Sequence, residues 1–351
     1  MTILNLTEIF TAYTDKKIDK DSAIDYLKSI IENKDDIESR RKAVEDLGKI
    51  DSNSEKFFKY FENLLISDTD GYVRANAAKI IIEKFSSKAY RPIKWVLERE
   101  NNHSCLESIA NGIIRSSNDN LKSLLKSIKH VIYDGKAYLC KNSGLDLSGL
   151  GIKNIKNVEN LKNLKDLIWL NLSYNNINEI EGLSTLRNLK FLTLGNNLIS
   201  EIKGIGNLKN LTGLHLFDNK ISEIKGLEGL SNLRSINLNN NQISDIKNLE
   251  TLTKLNLLSL NNNNISEIKA LETLLNLVIL QLNDNKILEI KGLDNLKRLT
   301  TLNLCNNKIK EIIAPQLPNL FYLSIDYNPI PQEQLTSFYK QRRKIIDFRY
   351  L

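Results

Sequence analysis

Residues 167–188 read LIWLNLSYNNINEIEGLSTLRN, and this pattern recurs through the C-terminal part of the chain. The frame is L-x-x-L-x-L-x-x-N-x-I, followed by Ile180, Leu183 and Leu186 at intervals of three. Its asparagine recurs six times after 22 residues and once after 21, giving Asn175, Asn197, Asn219, Asn241, Asn263, Asn285, Asn307 and Asn328. A fixed period of this length predicts a repeat architecture, in which each unit buries one side against its neighbours.

The leucines and asparagines of the frame have distinct structural roles. Leu170 and Leu172 alternate as the residues of a short strand do, so stacked units predict a parallel sheet with strands about 4.8 Å apart. A turn that leaves a buried strand exposes peptide groups, and an inward asparagine offers two donors and an acceptor to them. We therefore expect the asparagine ladder to be structural.

This frame resembles that of the leucine-rich repeat family over roughly residues 145–330. The 22-residue form with I-x-x-I-x-G-L, as at Ile224, Gly226 and Leu227, is similar to the intracellular repeats of the eukaryotic regulator of type-one protein phosphatase. It is also similar to the repeats of bacterial internalins, which are secreted adhesins. The resemblance implies protein binding in general and specifies no partner.

Residues 1–133 carry a different pattern, with aliphatic residues at helical spacing. The stretches DSAIDYLKSIIEN, SEKFFKYFENLLIS and NLKSLLKSIKHVI predict amphipathic helices that begin near Asp, Ser or Asn. These residues also repeat with a period near 33, which aligns Arg41 with Arg74. The same period aligns Val44, Ala77 and Ala110, and likewise Leu47, Ile80 and Ile113. The segment LLISDTDGYVRANAAKIIIEKF resembles a unit of the HEAT family, which implies paired helices.

The predicted fold class is therefore an α/β protein with two solenoids. Residues 1–133 form an all-α, HEAT-like superhelix, and residues 134–331 form about nine leucine-rich repeats with a parallel concave sheet. Residues 332–351 form a capping helix with a basic tail. Units at the ends of such a stack are expected to diverge, and Leu150 stands where the first unit would have its asparagine.

Composition narrows the class of protein. The net charge is +7, and residues 332–351 carry five basic and two acidic side chains. No segment approaches the length of a membrane span, and the first residues lack the features of a signal peptide. Three widely spaced cysteines fit a reducing compartment. We expect a cytoplasmic protein that is a monomer by itself.

Aromatic side chains at outward positions of the strands give the candidate binding site. Between the buried leucines, alternate residues point to the concave side, where an exposed aromatic cluster favours a contact with a partner. Trp169, Tyr174, Phe191 and Phe217, here called the aromatic patch, fall within three adjacent strands. His215 lies beside them, and Tyr322 and Tyr327 add aromatics near the end of the stack. Gly195 and Gly213 are expected to leave a shallow gap that admits a partner's side chain. The alternative is that the helical domain covers Trp169 and Phe191.

No catalytic motif accompanies these residues. The sequence contains no phosphate loop, nucleophile elbow, H-E-x-x-H or paired C-x-x-C. The spacing of His103, Cys105, His130 and Cys140 fits no standard zinc site. We therefore expect no enzyme activity, no metal and no cofactor.

The leading hypothesis is a non-enzymatic adaptor or scaffold that binds a protein partner on the concave face. One alternative is a regulatory subunit of a phosphatase, kinase or small GTPase. Another is a nucleic-acid-associated protein that uses the basic C-terminus. The near-neutral first domain, with 23 basic and 22 acidic residues in residues 1–140, argues against that alternative.

Overall fold

The computed structural model describes residues 6–33, 36–50, 52–312 and 317–341. The chain divides into two compact units, Met1–Lys141 and Asn142–Leu351. The helices of the described part are α1 Leu6–Thr14, α2 Lys20–Glu32, α3 Ile37–Lys49, α4 Glu55–Ser67, α5 Gly71–Lys84, α6 Tyr90–Leu97, α7 His103–Arg115, α8 Asp119–Ser123 and α9 Gln332–Gln341.

Helices α1 to α8 belong to the first unit, and most of them begin at a side-chain cap. The capping side chains accept hydrogen bonds from backbone N–H groups of the first turn, as N-cap residues do. They are Asp19, Asp36, Ser54, Asp70, Asn102 and Asn118. This capping explains why Asp, Ser and Asn in the sequence marked the starts of these helices.

The three helices α3, α5 and α7 lie side by side, with α5 between the other two. They bury the residues that the period near 33 aligned, from Val44, Ala77 and Ala110 to Leu47, Ile80 and Ile113. An arginine on one helix also reaches the loop before the next. Arg41 bonds both carboxylate oxygens of Asp70, and Arg74 bonds both of Glu100. The repeat therefore places both apolar and charged contacts between successive helices.

The prediction that residues 1–133 are entirely helical is wrong at their C-terminal end. The stretch NLKSLLKSIKHVI forms α8 and a 3-10 turn, Leu124–Ser127, and then enters strand β1, His130–Tyr133. Strand β1 pairs antiparallel with β2, Lys136–Leu139, through the turn at Asp134 and Gly135. The boundary predicted at 133/134 divides this hairpin, and the compact unit instead ends at Lys141 because β2 packs on α7.

The second unit is built on a parallel sheet of nine strands in sequential order. The strands are β3 Gly144–Asp146, β4 Trp169–Asn171, β5 Phe191–Thr193, β6 Gly213–His215, β7 Ser235–Asn237, β8 Leu257–Ser259, β9 Ile279–Gln281, β10 Thr301–Asn303 and β11 Tyr322–Ser324. Equivalent residues of successive coils pair directly, for example Leu170 with Leu192. The predicted parallel solenoid is confirmed.

The ladder asparagines bond neighbouring coils together. In Asn197, Nδ2 donates to the carbonyl oxygens of Leu172, Leu194 and Gly195 at 3.0 to 3.2 Å. Its Oδ1 accepts from the N–H of Ile177 at 3.0 Å. Each later ladder asparagine makes the same set of contacts, one coil further along. The amides thus satisfy backbone groups that the turn leaves inside the protein.

The two ends of the stack differ from its middle. The first coil has no ladder asparagine, and Asn175 of the second coil accepts from Leu150 and Ile152 of the first. A 3-10 turn at Leu161–Asn163 holds the additional residues of that coil. At the other end, α9 buries Phe338. The basic residues after position 341 lie outside the described part of the chain.

Candidate functional site

Trp169 and Phe191 begin neighbouring strands and pair in register on the outward side of the sheet. Their side chains are 37% and 48% exposed, although both are large aromatics. Backbone hydrogen bonds between successive coils hold these strands in place. For example, the N–H of Phe191 donates to the carbonyl oxygen of Ile168 at 3.1 Å. Two adjacent strands therefore present aromatic surface on a rigid backbone.

The gap expected at Gly195 and Gly213 is absent, because the aromatic rings themselves fill it. A methyl group on Gly195 would lie 2.4 Å from Cζ of Phe217, and one on Gly213 would lie 2.8 Å from Cδ1 of Phe191. Each ring thus lies against the glycine of a neighbouring coil. The expectation of an open gap is wrong, because the rings of Phe217 and Phe191 occupy that space.

Tyr174 and Tyr327 adopt a left-handed backbone conformation, with φ of 57° at each. They occupy the position immediately before a ladder asparagine, where the other coils place Asn196, Asp218, Asn240, Asn262, Asp284 and Asn306. Asn and Asp tolerate this conformation, whereas a bulky residue there is unusual. Both tyrosines are also well exposed, at 64% and 85%. Sequence reasoning missed this strain, although the column of Asn and Asp signalled it.

His215 lies on β6, paired in register with Thr193 and Asn237 of the adjacent strands. Burial lowers the pKa of His215 below its ordinary value of 6.5. The imidazole is therefore neutral near pH 7, and it offers one donor and one acceptor to a neighbouring group.

The predicted site residues form two groups. Strand β11, with Tyr322, lies seven strand positions from β4, with Trp169. At about 4.8 Å per strand, this places Tyr322 and Tyr327 roughly 34 Å from Trp169. The aromatic patch and His215 therefore form one group on neighbouring coils, and Tyr322 and Tyr327 form the other.

The edge of the sheet at which the strands begin carries a second series of asparagines, which sequence reasoning missed. Each side chain donates through Nδ2 to a backbone carbonyl one coil earlier, as Asn188 does to Lys165 at 3.0 Å. The series comprises Asn188, Asn210, Asn232, Asn276 and Asn319. Its signal was a partial repeat of Asn three residues before the strand.

The acidic and basic columns of the return turns pair across coils. Lys247 lies 2.8 Å from Glu223, and Lys269 lies 3.0 Å from Asp245. The Lys247 ammonium lowers the pKa of Glu223. Because these pairs are exposed to solvent, each contributes little to stability.

The potential metal ligands and the buried Cys105 thiol can be located in the described part of the chain. Within residues 6–33, 36–50, 52–312 and 317–341, no three His, Cys, Asp or Glu side chains cluster as metal ligands would. Cys105 is fully buried, and this burial, together with Glu100 nearby, raises the pKa of its thiol to about 12. None of the helices that the structure describes is both long enough and apolar enough to cross a bilayer.

The repeated coils of the second unit resemble those of a known protein family. The family model described as "Leucine Rich repeats (2 copies)" matches residues 165–207 and 209–251, whose coils have the strand, ladder asparagine and return turn described above. The second unit is a leucine-rich repeat domain. No curated protein matches the sequence significantly.

Solved structures similar to this leucine-rich repeat protein come from several sources. Internalin C2 of Listeria monocytogenes is 26% identical, with a TM-score of 0.49, over 67% of this chain and 91% of that one. A leucine-rich repeat protein of Leptospira interrogans is 29% identical, with a TM-score of 0.48, over 54% and 56%. The TLR13-ssRNA13 complex is 22% identical, with a TM-score of 0.53, over 71% and 38%. The last of these is similar in fold alone.

Proposed function

We propose that this leucine-rich repeat protein is a non-enzymatic adaptor that binds a protein partner through the concave face of its second unit. The observation that carries this role is the aromatic patch on the coils of β4, β5 and β6. Repeat solenoids create extended concave surfaces suited to binding. Exposed aromatic rings on such a surface supply large contact areas and are typical of binding hot spots.

The conformation of Tyr174 supports the same role. In the middle of the stack its position is held by Asn or Asp, which adopt positive φ at lower cost than tyrosine. A strained residue persists where the surrounding structure enforces it, and such residues concentrate at functional sites. A tyrosine that is 64% exposed gains little from folding that would compensate for this strain. Contact with a partner is a reason for its presence.

The first unit fits the proposed role as a HEAT-like module. Helices α3, α5 and α7 bury equivalent residues, and the pair of Arg41 with Asp70 recurs one repeat later as the pair of Arg74 with Glu100. A module of this kind presents a second extended surface, so the chain would contact more than one protein or a large one.

The role is tested by affinity capture from native extract with three baits. One is the wild-type chain, and one is the variant Trp169→Ala/Phe191→Ala/Phe217→Ala. The third is a matched control, Leu275→Ala/Leu288→Ala/Phe321→Ala, which removes three exposed apolar side chains from the far half of the solenoid. Circular dichroism first establishes that all three fold.

We expect a protein that is captured by the wild type and the control and lost with the patch variant. Its affinity, measured by calorimetry with purified proteins, should fall by about 1 to 2 kcal/mol for each ring removed. Recovery of the same proteins by all three baits would contradict a role for the concave aromatic patch.

A further inference from the structure

The edge of the sheet at which the strands begin is strongly basic. We consider the four residues before each strand from β4 to β11. Their exposed positions hold one acidic side chain, Asp166, and eight basic ones. The basic side chains are Lys165, Arg187, Lys190, Lys209, Arg234, Lys254, Lys297 and Arg298. The opposite edge differs, because its lysines alternate with the carboxylates of the return turns.

Five of these basic side chains lie in the coils of β4 to β7. We call them the basic edge: Lys165, Arg187, Lys190, Lys209 and Arg234. All five are exposed. Among the residues that the structure describes, none of the five forms an ion pair, whereas the return-turn lysines of the same solenoid do. Their charges are therefore available to a partner.

The backbone under the basic edge is held in place. The carbonyl oxygens of Lys165, Arg187 and Lys209 accept hydrogen bonds of 2.9 to 3.0 Å from the second asparagine series. Those of Lys190 and Arg234 accept from the backbone of the next coil at 2.8 to 3.0 Å. Only the side chains remain to be ordered when a partner binds, which limits the entropic cost of binding.

The basic edge is continuous with the aromatic patch. Lys190 directly precedes Phe191, and Phe191 pairs in register with Trp169 on the neighbouring strand. Successive coils lie about 4.8 Å apart, so the five cations span roughly 14 Å along the solenoid. This distance matches a short extended segment of polypeptide.

We propose, on the basis of the protein-binding role inferred above, that the basic edge and the aromatic patch form one docking surface for an acidic segment of a partner protein. Carboxylates of the segment contact Lys165, Arg187, Lys190 and Lys209. An apolar side chain of the same segment lies on the rings of Trp169 and Phe191. Charge complementarity of this kind steers association and fixes the register of the bound segment.

A polypeptide fits this surface better than a nucleic acid does. Asp218 follows Phe217 directly, and its carboxylate lies among Asn196 and Asn240 on the concave side. Asp146 lies on the same face, at the end of β3. A nucleic acid strand carries a charge at every nucleotide and would bring phosphates over these carboxylates. A peptide can confine its carboxylates to the basic edge.

The test is a selection of short random peptides by display against three forms of the full chain. The first is wild type, and the second is Lys165→Glu/Arg187→Glu/Lys190→Glu/Lys209→Glu. The third is a control with the same change in net charge on the opposite edge, Lys220→Glu/Lys286→Glu/Lys308→Glu/Lys310→Glu, where all four lysines are exposed. Fluorescent single-stranded RNA and DNA oligonucleotides serve as a separate probe.

Wild type and control should enrich peptides that are rich in Asp and Glu around an apolar residue. The edge variant should lose their binding by about tenfold or more. Binding to wild type should weaken as the salt concentration rises from about 50 to about 300 mM, because exposed charges are screened.

Three results would overturn the docking surface: no enriched peptides, enrichment of neutral or basic peptides, or equal binding of the acidic peptides by the edge variant. Tighter binding of the oligonucleotides than of the peptides would assign the surface to nucleic acid. If the edge variant still captures the partner that the patch variant loses, the proposed protein-binding role is supported. The proposal that the basic edge binds an acidic segment of that partner is then wrong.

Discussion

At the scale of single residues, Tyr174 is expected to affect stability and partner binding in opposite directions. Its φ of 57° is unfavourable for tyrosine and acceptable for asparagine. We expect Tyr174→Asn to raise the free energy of unfolding by about 0.5 to 1 kcal/mol, as measured by urea denaturation. The same change should weaken partner binding, because it removes an exposed ring.

The reverse substitution provides the control for this effect. Asn262 has φ of 53° at the equivalent position in the middle of the stack. Asn262→Tyr should lower stability by about 1 kcal/mol. If Tyr174→Asn is destabilising, the left-handed conformation is not the source of strain at this position.

The ladder asparagines make a second residue-scale prediction. Replacing Asn263 by Ala leaves the N–H of Ile243 without its acceptor and removes one of the two side-chain hydrogen bonds that each carbonyl oxygen of Leu238 and Leu260 accepts. We expect a loss of about 1 to 3 kcal/mol in the free energy of unfolding. Asn264→Ala, at the exposed neighbouring residue, is the control and should change stability by less than about 0.5 kcal/mol.

At the scale of elements, the return turns depend on close backbone approach. Gly204 has φ of 81°, and a methyl group there would lie 1.9 Å from the carbonyl oxygen of Ile180. Gly204→Ala should therefore destabilise the solenoid by about 2 kcal/mol or more. Gly206, two residues later, has open space around it. Gly206→Ala should leave the thermal midpoint nearly unchanged, and equal effects of the two changes would refute this reading of the turn.

The contact between α5 and the loop before α7 predicts sensitivity to acid. Burial alone would raise the pKa of Glu100, but hydrogen bonds from Arg74, Asn102 and Cys105, with the charge of Arg74, lower it from 4.5 to about 2. The folded pKa lies below the unfolded one. The stabilisation is therefore complete above about pH 4.5 and is lost as the pH falls toward 2.

Removal of Arg74 tests this linkage. Arg74→Ala leaves the Glu100 carboxylate nearly buried without its cation, and we expect a loss of about 3 kcal/mol at pH 7. The dependence of stability on pH between 4.5 and 2 should also decrease. Arg41→Ala, whose partner Asp70 is more exposed, should cost less. A pH profile that does not change in Arg74→Ala would rule out Glu100 as its source.

Elements differed in how far the sequence predicted them. In the solenoid, each buried leucine returns at a fixed period, so Leu170 and its equivalents determine strand position, register and coil length together. The β1–β2 hairpin has no such repetition. His130, Val131 and Ile132 continue the helical spacing of α8, so the local sequence favours a helix there. The pairing of β1 with β2 overrides this preference, and it involves residues beyond that helix.

The candidate site was predictable in position but not in shape. The outward alternation placed Trp169 and Phe191 on the concave side. It did not indicate that Phe217 lies on Gly195, because that contact depends on the direction of a side chain between strands. The unpaired state of Lys165 and Arg187 likewise depends on which carboxylates are within reach, and the spacing of charges along the chain does not specify this.

At the scale of the whole molecule, the chain consists of two compact units, and each has buried apolar residues of its own. A unit with its own core can fold and unfold cooperatively by itself. We expect differential scanning calorimetry to resolve two transitions. Arg74→Ala should lower the midpoint of one, and Asn263→Ala that of the other. A single transition shifted equally by both changes would show that the units unfold together.

The asparagine ladder also constrains how the length of this protein can change. Because the side chain of Asn241 bonds the coil before it, and the side chain of Asn263 bonds the coil of Asn241 in the same way, insertion or deletion of one whole repeat restores every hydrogen bond of the ladder. The separation between the tyrosines at the two ends, Tyr174 and Tyr327, can thus change only in increments of about 4.8 Å. Duplication or loss of single repeats would match the span of the concave surface to partners of different size while leaving the remaining contacts intact.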